Sequence, residues 1–160
     1  YNNFFIIEKA LSPVSGIPCK LIQNFLNQII NNVNFFISKV WSYPFQLLPL
    51  DDKQLDFQFS YLIGDEIVSD ISKGSEAQKV MIDFAFTLAI LVLKGWTNYP
   101  LFLDEIDKSF DETHKNHILE LLEYLLNERI ISQLFIVGHH NAFYSGFQNK
   151  KIIDMNNLES

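Results

Sequence analysis

Asp104 and Glu105 are adjacent carboxylates at the end of the short apolar run Leu101-Phe102-Leu103. Open α/β sheets place their ligands at the carboxyl ends of such strands, and two acids there are costly unless something cationic neutralises them. In that setting the first carboxylate holds Mg²⁺, usually through water, and the second polarises an attacking water. The alternative is that the pair merely caps the next helix. Ile71-Ser72-Lys73-Gly74-Ser75-Glu76-Ala77-Gln78 sets small polar residues just before a long apolar segment. Free backbone N–H groups at a helix N-terminus, aided by the helix dipole and the Ser hydroxyls, form an anion site that suits a phosphate. The same residues also read as an N-cap, with Ser72 or Ser75 closing the helix and Glu76 in its first turn. Gly138-His139-His140 follows a second apolar run, Leu134-Phe135-Ile136-Val137. His139 either reaches a γ-phosphate or the attacking water, or packs at a strand end.

The elements that must position these residues follow from hydropathy periods. Apolar residues over 76 to 94 lie almost all round a helix, which places it at the centre of a domain, and Gly95 ends it. Tyr99-Pro100 then leads into the strand at 101 to 103, a helix over about 113 to 128 carries Ile118, Leu121, Leu122 and Leu125, and 134 to 137 form a second buried strand. Strand, helix, strand implies a crossover and a parallel sheet. Upstream, the apolar start Phe4-Phe5-Ile6-Ile7 is a short strand or helix end, and Ser12 to Pro18 is a loop dense in helix breakers. From Lys20 to Val40, Leu21, Ile22, Phe25, Leu26, Ile29, Ile30, Val33, Phe36 and Ile37 recur at helical spacing and predict an amphipathic helix with one buried face. Beyond Pro44 the period drops to two. Leu55, Phe57, Phe59, Tyr61 and Ile63 predict a half-buried strand, with Gly64-Asp65 reversing it into Glu66-Ile67-Val68. Ile152 and Ile153 suggest a final strand.

At 160 residues and 48% hydrophobic, the chain is expected to form one compact α/β unit. The single Cys19 offers neither a disulfide framework nor zinc-ligand spacing, which fits a reducing cytoplasm. The N-terminus does not read as a signal peptide, and the longest apolar run, Phe84 to Leu93, falls short of the roughly 18 to 20 residues needed to span a bilayer. A formal charge of −7 argues against these residues gripping phosphodiester backbones by themselves.

In order and spacing the clusters resemble the motifs of ABC ATPases. Ile71-Ser72-Lys73-Gly74-Ser75 is similar to the ABC signature, Leu101-Phe102-Leu103-Asp104-Glu105 to a Walker B strand, Ser109-Phe110-Asp111 to the D-loop and His139 to the switch histidine, with Asp111 seven positions after Asp104 as in the family. The period-two region before the signature resembles the SMC-like branch, since transporters carry a helical subdomain there. Leu11-Ser12-Pro13-Val14-Ser15-Gly16-Ile17-Pro18 resembles the point where the chain returns from the coiled coil in SbcC-like and phage recombination exonuclease ATPase subunits.

The resemblance implies an α/β fold, the C-terminal lobe of an ABC-type P-loop NTPase head with a parallel-sheet core and flanking helices. Residues 1–160 would form this one lobe, with 1–19 leading in from a coiled coil, 20–70 a helix and β region, and 71–160 the signature, Walker B, D-loop and switch-histidine region. It implies that Asp104 binds Mg²⁺, that Glu105 activates water and His139 senses the γ-phosphate as catalytic residues, and that Ser72, Lys73, Gly74 and Ser75 bind ATP in trans, with Asp111 in the D-loop. The cofactors would be ATP and Mg²⁺. The implied partners are a P-loop N-terminal half, a second head in a homodimer, a nuclease subunit and DNA, with no membrane. The implied activity is ATP hydrolysis that drives head dimerisation in DNA double-strand-break repair and recombination, as the ATPase subunit of an exonuclease complex, in the cytoplasm or that of a phage-infected host. The alternatives are an ABC transporter motor, which needs a membrane partner, and a non-catalytic domain that kept the fold and lost the chemistry.

Four residues depart from the family pattern. Lys73 replaces the first signature glycine, Ser75 a Gln or Glu, Ile106 the proline after Walker B, and Gly138 the common serine before the histidine. Lys73 either adds charge to a phosphate site or is a solvated side chain. No G-x-x-x-x-G-K-[ST] occurs and no segment is assignable as a Q-loop, so the chain is expected to be a fragment, a truncated product or one partner of a split head, unable to hydrolyse ATP alone.

Overall fold

The computed structural model describes residues 2–13, 15–50, 59–96, 98–138, 144–147 and 150–153. Helix α1 (Asn2–Leu11) meets helix α2 (Ile17–Val40) at a bend. Gly16 is required there, because a Cβ would run into the Ala10 carbonyl and the backbone of Ser12. Pro18 starts α2 at a position where its missing N–H costs nothing. The C-terminal half of α2 is amphipathic as expected, burying Ile29, Ile30, Val33, Phe36, Ile37 and Val40. In its N-terminal half Cys19 and Gln23 are buried, but the expected apolar residues Leu21, Ile22 and Phe25 are exposed, as are Phe4 to Ile7 of α1. Periodicity reports an apolar face and cannot report what covers it.

Strands β1 (Phe45–Leu47), β2 (Tyr61–Ile63) and β3 (Glu66–Val68) form an antiparallel sheet. The β2–β3 hairpin turns at Gly64-Asp65, as its sequence predicts, and Gly64 takes the positive φ of 56° that a glycine adopts without strain. Of the strand expected from Leu55, the part at 51–58 lies outside the described residues, Phe59 and Ser60 carry no strand, and β2 begins at Tyr61. Asn34 of α2 clamps the sheet edge: its Oδ1 accepts from Leu47 N at 2.7 Å and its Nδ2 donates to Leu47 O at 2.9 Å.

Helix α3 (Glu76–Leu93) packs along α2 and buries Met81, Phe84, Ala85, Leu88 and Ala89, although Ile90 and Val92 at its far end are exposed. Gly95, at φ 64°, terminates it. Strands β4 (Tyr99–Asp104) and β5 (Ile131–Val137) pair in parallel across helix α4 (Glu112–Asn127). This is the α/β crossover the sequence predicts. The two strands are not buried on both faces, however. Leu101, Leu103, Leu134 and Ile136 face the shared core, while Phe102, Phe135 and Val137 are exposed on the other side. Residues 150–153 carry no strand, so Ile152 and Ile153, both exposed, do not extend the sheet.

Candidate functional site

Asp104 is the last residue of β4, opposite Val137, and Glu105 begins the turn beyond it. The Glu105 N–H donates to Val137 O at 2.8 Å, which locks the two strand ends together where the side chains leave the sheet. Glu105 itself sits at φ 47° and ψ 33°, a left-handed conformation that costs a non-glycine residue about 1 kcal/mol. Its Oε2 lies 3.2 Å from Lys108 Nζ, a pair exposed enough for solvent to screen it. Ile106–Ser109 then form one 3₁₀ turn.

Phe110 closes this turn, and Asp111 caps α4. The Asp111 Oδ1 accepts from His114 N at 2.9 Å and from His114 Nδ1 at 2.8 Å. The His114 N–H, ahead of the smaller effect of its side chain, holds the Asp111 carboxyl below its ordinary value. The imidazole packs against Trp41 with ring centroids 4.2 Å apart and planes tilted by 36°, so the cap is braced against the end of α2. His117 Nδ1 donates to Val40 O at 2.7 Å and fastens α4 to the same helix end.

The turn at 71–75 is held by a separate set of bonds. Asp70 caps the 3₁₀ turn Ile71–Lys73 through Ser72 N at 2.8 Å, and Lys73 Nζ donates to Ser69 Oγ at 2.9 Å. Ser75 and Gln78 form a reciprocal capping box on α3, Ser75 N donating to Gln78 Oε1 and Gln78 N to Ser75 Oγ. Of the two N-cap candidates, then, Ser75 is the cap of α3. Gly74 is fitted tightly, since a Cβ would stand 3.0 Å from Tyr61 Oη and 3.1 Å from Ile71 O. Tyr61 joins this cluster by donating to Gln78 Oε1, and its own burial raises its pKa. A capping box leaves the remaining first-turn N–H groups directed outward, which is compatible with an anion. Lys73 is an exposed cation at that point.

The structure therefore gathers Asp104, Glu105 and Asp111 along one strand-to-helix connection, while Ser72, Lys73, Gly74 and Ser75 form a second turn with its own supports. His139 lies outside the described residues. Two residues of this region escaped the sequence reading. Asp107 is 1% exposed, one turn beyond the acidic pair, and Tyr144 donates to its Oδ1 at 3.3 Å. The only signal for Tyr144 was Gly138, whose missing side chain leaves the space that the Tyr144 hydroxyl fills.

No family model matches the chain. It is 25% identical over 145 residues to the DNA double-strand break repair Rad50 ATPase of Thermoplasma acidophilum, covering 84% of this chain and 16% of that protein. Among solved structures, it is similar to one concerned with ATP-driven dimerisation and DNA-stimulated activation of SMC ATPases (TM-score 0.65, 14% identity, 81% of this chain and 78% of that one). A second is the Smc head with an extended coiled coil bound to the C-terminal domain of ScpA from Pyrococcus furiosus (TM-score 0.60, 17% identity, 79% of this chain and 32% of that one). A third is an Smc head bound to the C-terminal winged-helix domain of ScpA (TM-score 0.59, 19% identity, 86% of this chain and 45% of that one). The likenesses give the fold as an α/β lobe of an SMC-type head.

Proposed function

We infer, from a chain that carries the fold of an SMC-like ABC ATPase head lobe, that it supplies the Walker B, D-loop and signature side of an ATP-hydrolysing head acting in DNA double-strand-break repair. The observation that carries this reading is the strained acidic turn. A carboxylate pair stands at the carboxyl end of a parallel strand, with its second member in a left-handed conformation that strand and turn together impose. In this reading Glu105 orients and polarises the attacking water, and Asp104 takes Mg²⁺ through water. His139 senses the γ-phosphate, and Ser72, Lys73, Gly74 and Ser75 meet the nucleotide of a second head.

Among the described residues no group of three or more His, Cys, Asp or Glu side chains could hold a metal. One carboxylate nonetheless suits Mg²⁺, which keeps several waters and takes phosphate oxygens alongside one or two acids. The donor set fits a shared site, completed by nucleotide and by a P-loop. No P-loop motif lies in these residues, so a P-loop half of the head is the first partner proposed. A second head, a nuclease subunit and DNA are the others proposed, on the resemblance of the entry segment to SbcC-like ATPase subunits, and the cytoplasm is the proposed location. Because the chain spans only 16% of the Rad50 relative, the activity belongs to the assembled protein. The antiparallel sheet β1-β2-β3 directly before the signature turn favours this reading over a transporter motor. No helix among the described residues is long and apolar enough to cross a membrane.

The test is Glu105→Gln in the complete head. Hydrolysis should fall by roughly two to four orders of magnitude, the contribution of a general base, while ATP-driven association of heads persists. Retained turnover would remove Glu105 from the chemistry.

A further inference from the structure

Tyr144, in the short helical turn after β5, reaches back over the end of the sheet, and its hydroxyl donates to the Oδ1 of Asp107. It can do so only because residue 138 is glycine. A Cβ there would fall on the hydroxyl oxygen itself and stand 3.1 Å from ring carbon Cε2. Position 138 is where the resembled family commonly has serine, so the substitution and the tyrosine belong together sterically. Asp107 is 1% exposed, and its other oxygen, Oδ2, has no hydrogen-bond partner among the described residues. Without the phenol both oxygens of a buried carboxyl would be unpaired, a costly state that a short turn escapes by moving. Asp107 is bonded into that turn, for its carbonyl accepts from Phe110 N at 3.4 Å while Lys108 N donates to Glu105 O at 3.1 Å. Burial first, then the negative charge of Asp107, pushes the phenol up to about 12, so it remains a proton donor at any physiological pH. The charges of Glu105 and Asp104 add to the same shift, which places the ring in the field of the whole acidic turn.

We propose that Tyr144 is a positioning residue for the acidic turn: its hydroxyl, admitted by Gly138, pins Asp107 and through it fixes the turn that presents Glu105. The proposal rests on the reading of Glu105 as the water-polarising carboxylate, but the pinning itself is measurable without turnover.

Tyr144→Phe keeps the ring and removes the donor. In the complete head, amide hydrogen exchange over 105–111 should quicken, and kcat for ATP should drop about three- to tenfold, as the loss of one hydrogen bond implies, with KM changed less than about twofold. Added to Asp107→Ala, the same change should cost nothing further, because the two residues act as one unit. Gly138→Ala, which displaces the hydroxyl sterically, should reproduce the faster exchange. Unaltered exchange over 105–111 in Tyr144→Phe overturns the proposal. So does a kcat loss that adds in full to that of Asp107→Ala, or faster exchange with unaltered kcat. If the complete wild-type head does not hydrolyse ATP, the ATPase reading fails, and exchange over 105–111 still decides whether Tyr144 pins the turn.

Discussion

Phe102 and Phe135 lie face to face on neighbouring parallel strands, ring centroids 4.6 Å apart and planes 5° from parallel, and are 68% and 41% exposed. Parallel sheets are ordinarily covered on both faces. This stacked pair, flanked by the exposed Val137, has the character of an interior surface awaiting its second layer, and the proposed P-loop half is the layer that would supply it.

Replacing both rings, Phe102→Ser with Phe135→Ser, is expected to leave the lobe folded, since an aromatic pair contributes only about 0.5 to 1.5 kcal/mol beyond its burial. Co-purification with the P-loop half should be lost. A variant that still assembles as the wild type does would show that this face meets something else.

Ser75 separates stability from anion binding. Ser75→Ala removes the capping box of α3 and should cost about 1 kcal/mol, read as a lower urea midpoint with an unchanged slope. Ser75→Asp keeps a good cap but sets a negative charge where a phosphate would approach. It should unfold like the wild type while abolishing ATP-driven association of heads. Equal association in the two proteins would remove the signature turn from nucleotide contact.

The Asp111 cap predicts a pH signature. Its carboxyl is depressed in the fold, principally by the His114 N–H, so its contribution is complete above the unfolded value near 4 and disappears as pH falls through the lower folded value. Asp111→Ala should therefore lower Tm by about 2 to 4 °C at pH 7, and the gap to wild type should close below pH ~4. A gap that stays constant down to pH ~2 would contradict the assignment.

Strain at Glu105 predicts a trade between stability and activity. Glu105→Gly relieves the left-handed backbone and should raise stability by up to about 1 kcal/mol, whereas Glu105→Gln, equally strained, should leave it unchanged. Both should abolish hydrolysis in the complete head. Equal melting temperatures for the two variants would show that the φ of 47° stores nothing.

Local signals in the sequence were sufficient for the elements that carry the motifs. Gly95 and the apolar run before it delimited α3, Gly64-Asp65 marked the hairpin, and the strand–helix–strand order gave the parallel pair. Coverage was legible in the last turns of α2 and along α4, where Ile29 to Val40 and Ile118 to Leu125 are buried as their spacing implies, and illegible on other faces. Leu21, Ile22, Phe25, Phe102 and Val137 have the pattern of buried residues and are exposed, because hydropathy records that a face needs a neighbour without saying that the neighbour is in the same 160 residues. Asp107 failed in the opposite direction. An acid between Ile106 and Lys108 gives no local sign of burial, and its partner Tyr144 is 37 positions away. Such a contact joins residues far apart in the chain, which no period encodes.

Helix α2, at 24 residues about 36 Å long, is embedded by its last three turns and carries the exposed Leu21, Ile22 and Phe25 along its first ones, where only Cys19 and Gln23 are buried. It is gripped at its inner end by the His117 bond to Val40 and by the Trp41–His114 ring contact, the same histidine that Asp111 holds. The helix is thus anchored at its inner end beside Asp111, while its outer half presents exposed apolar residues where α1 joins it. Any rotation of α4 at that anchor would be felt at the root of the helix that runs out to the α1–α2 bend, so the capped carboxyl and the exposed apolar bend share one rod.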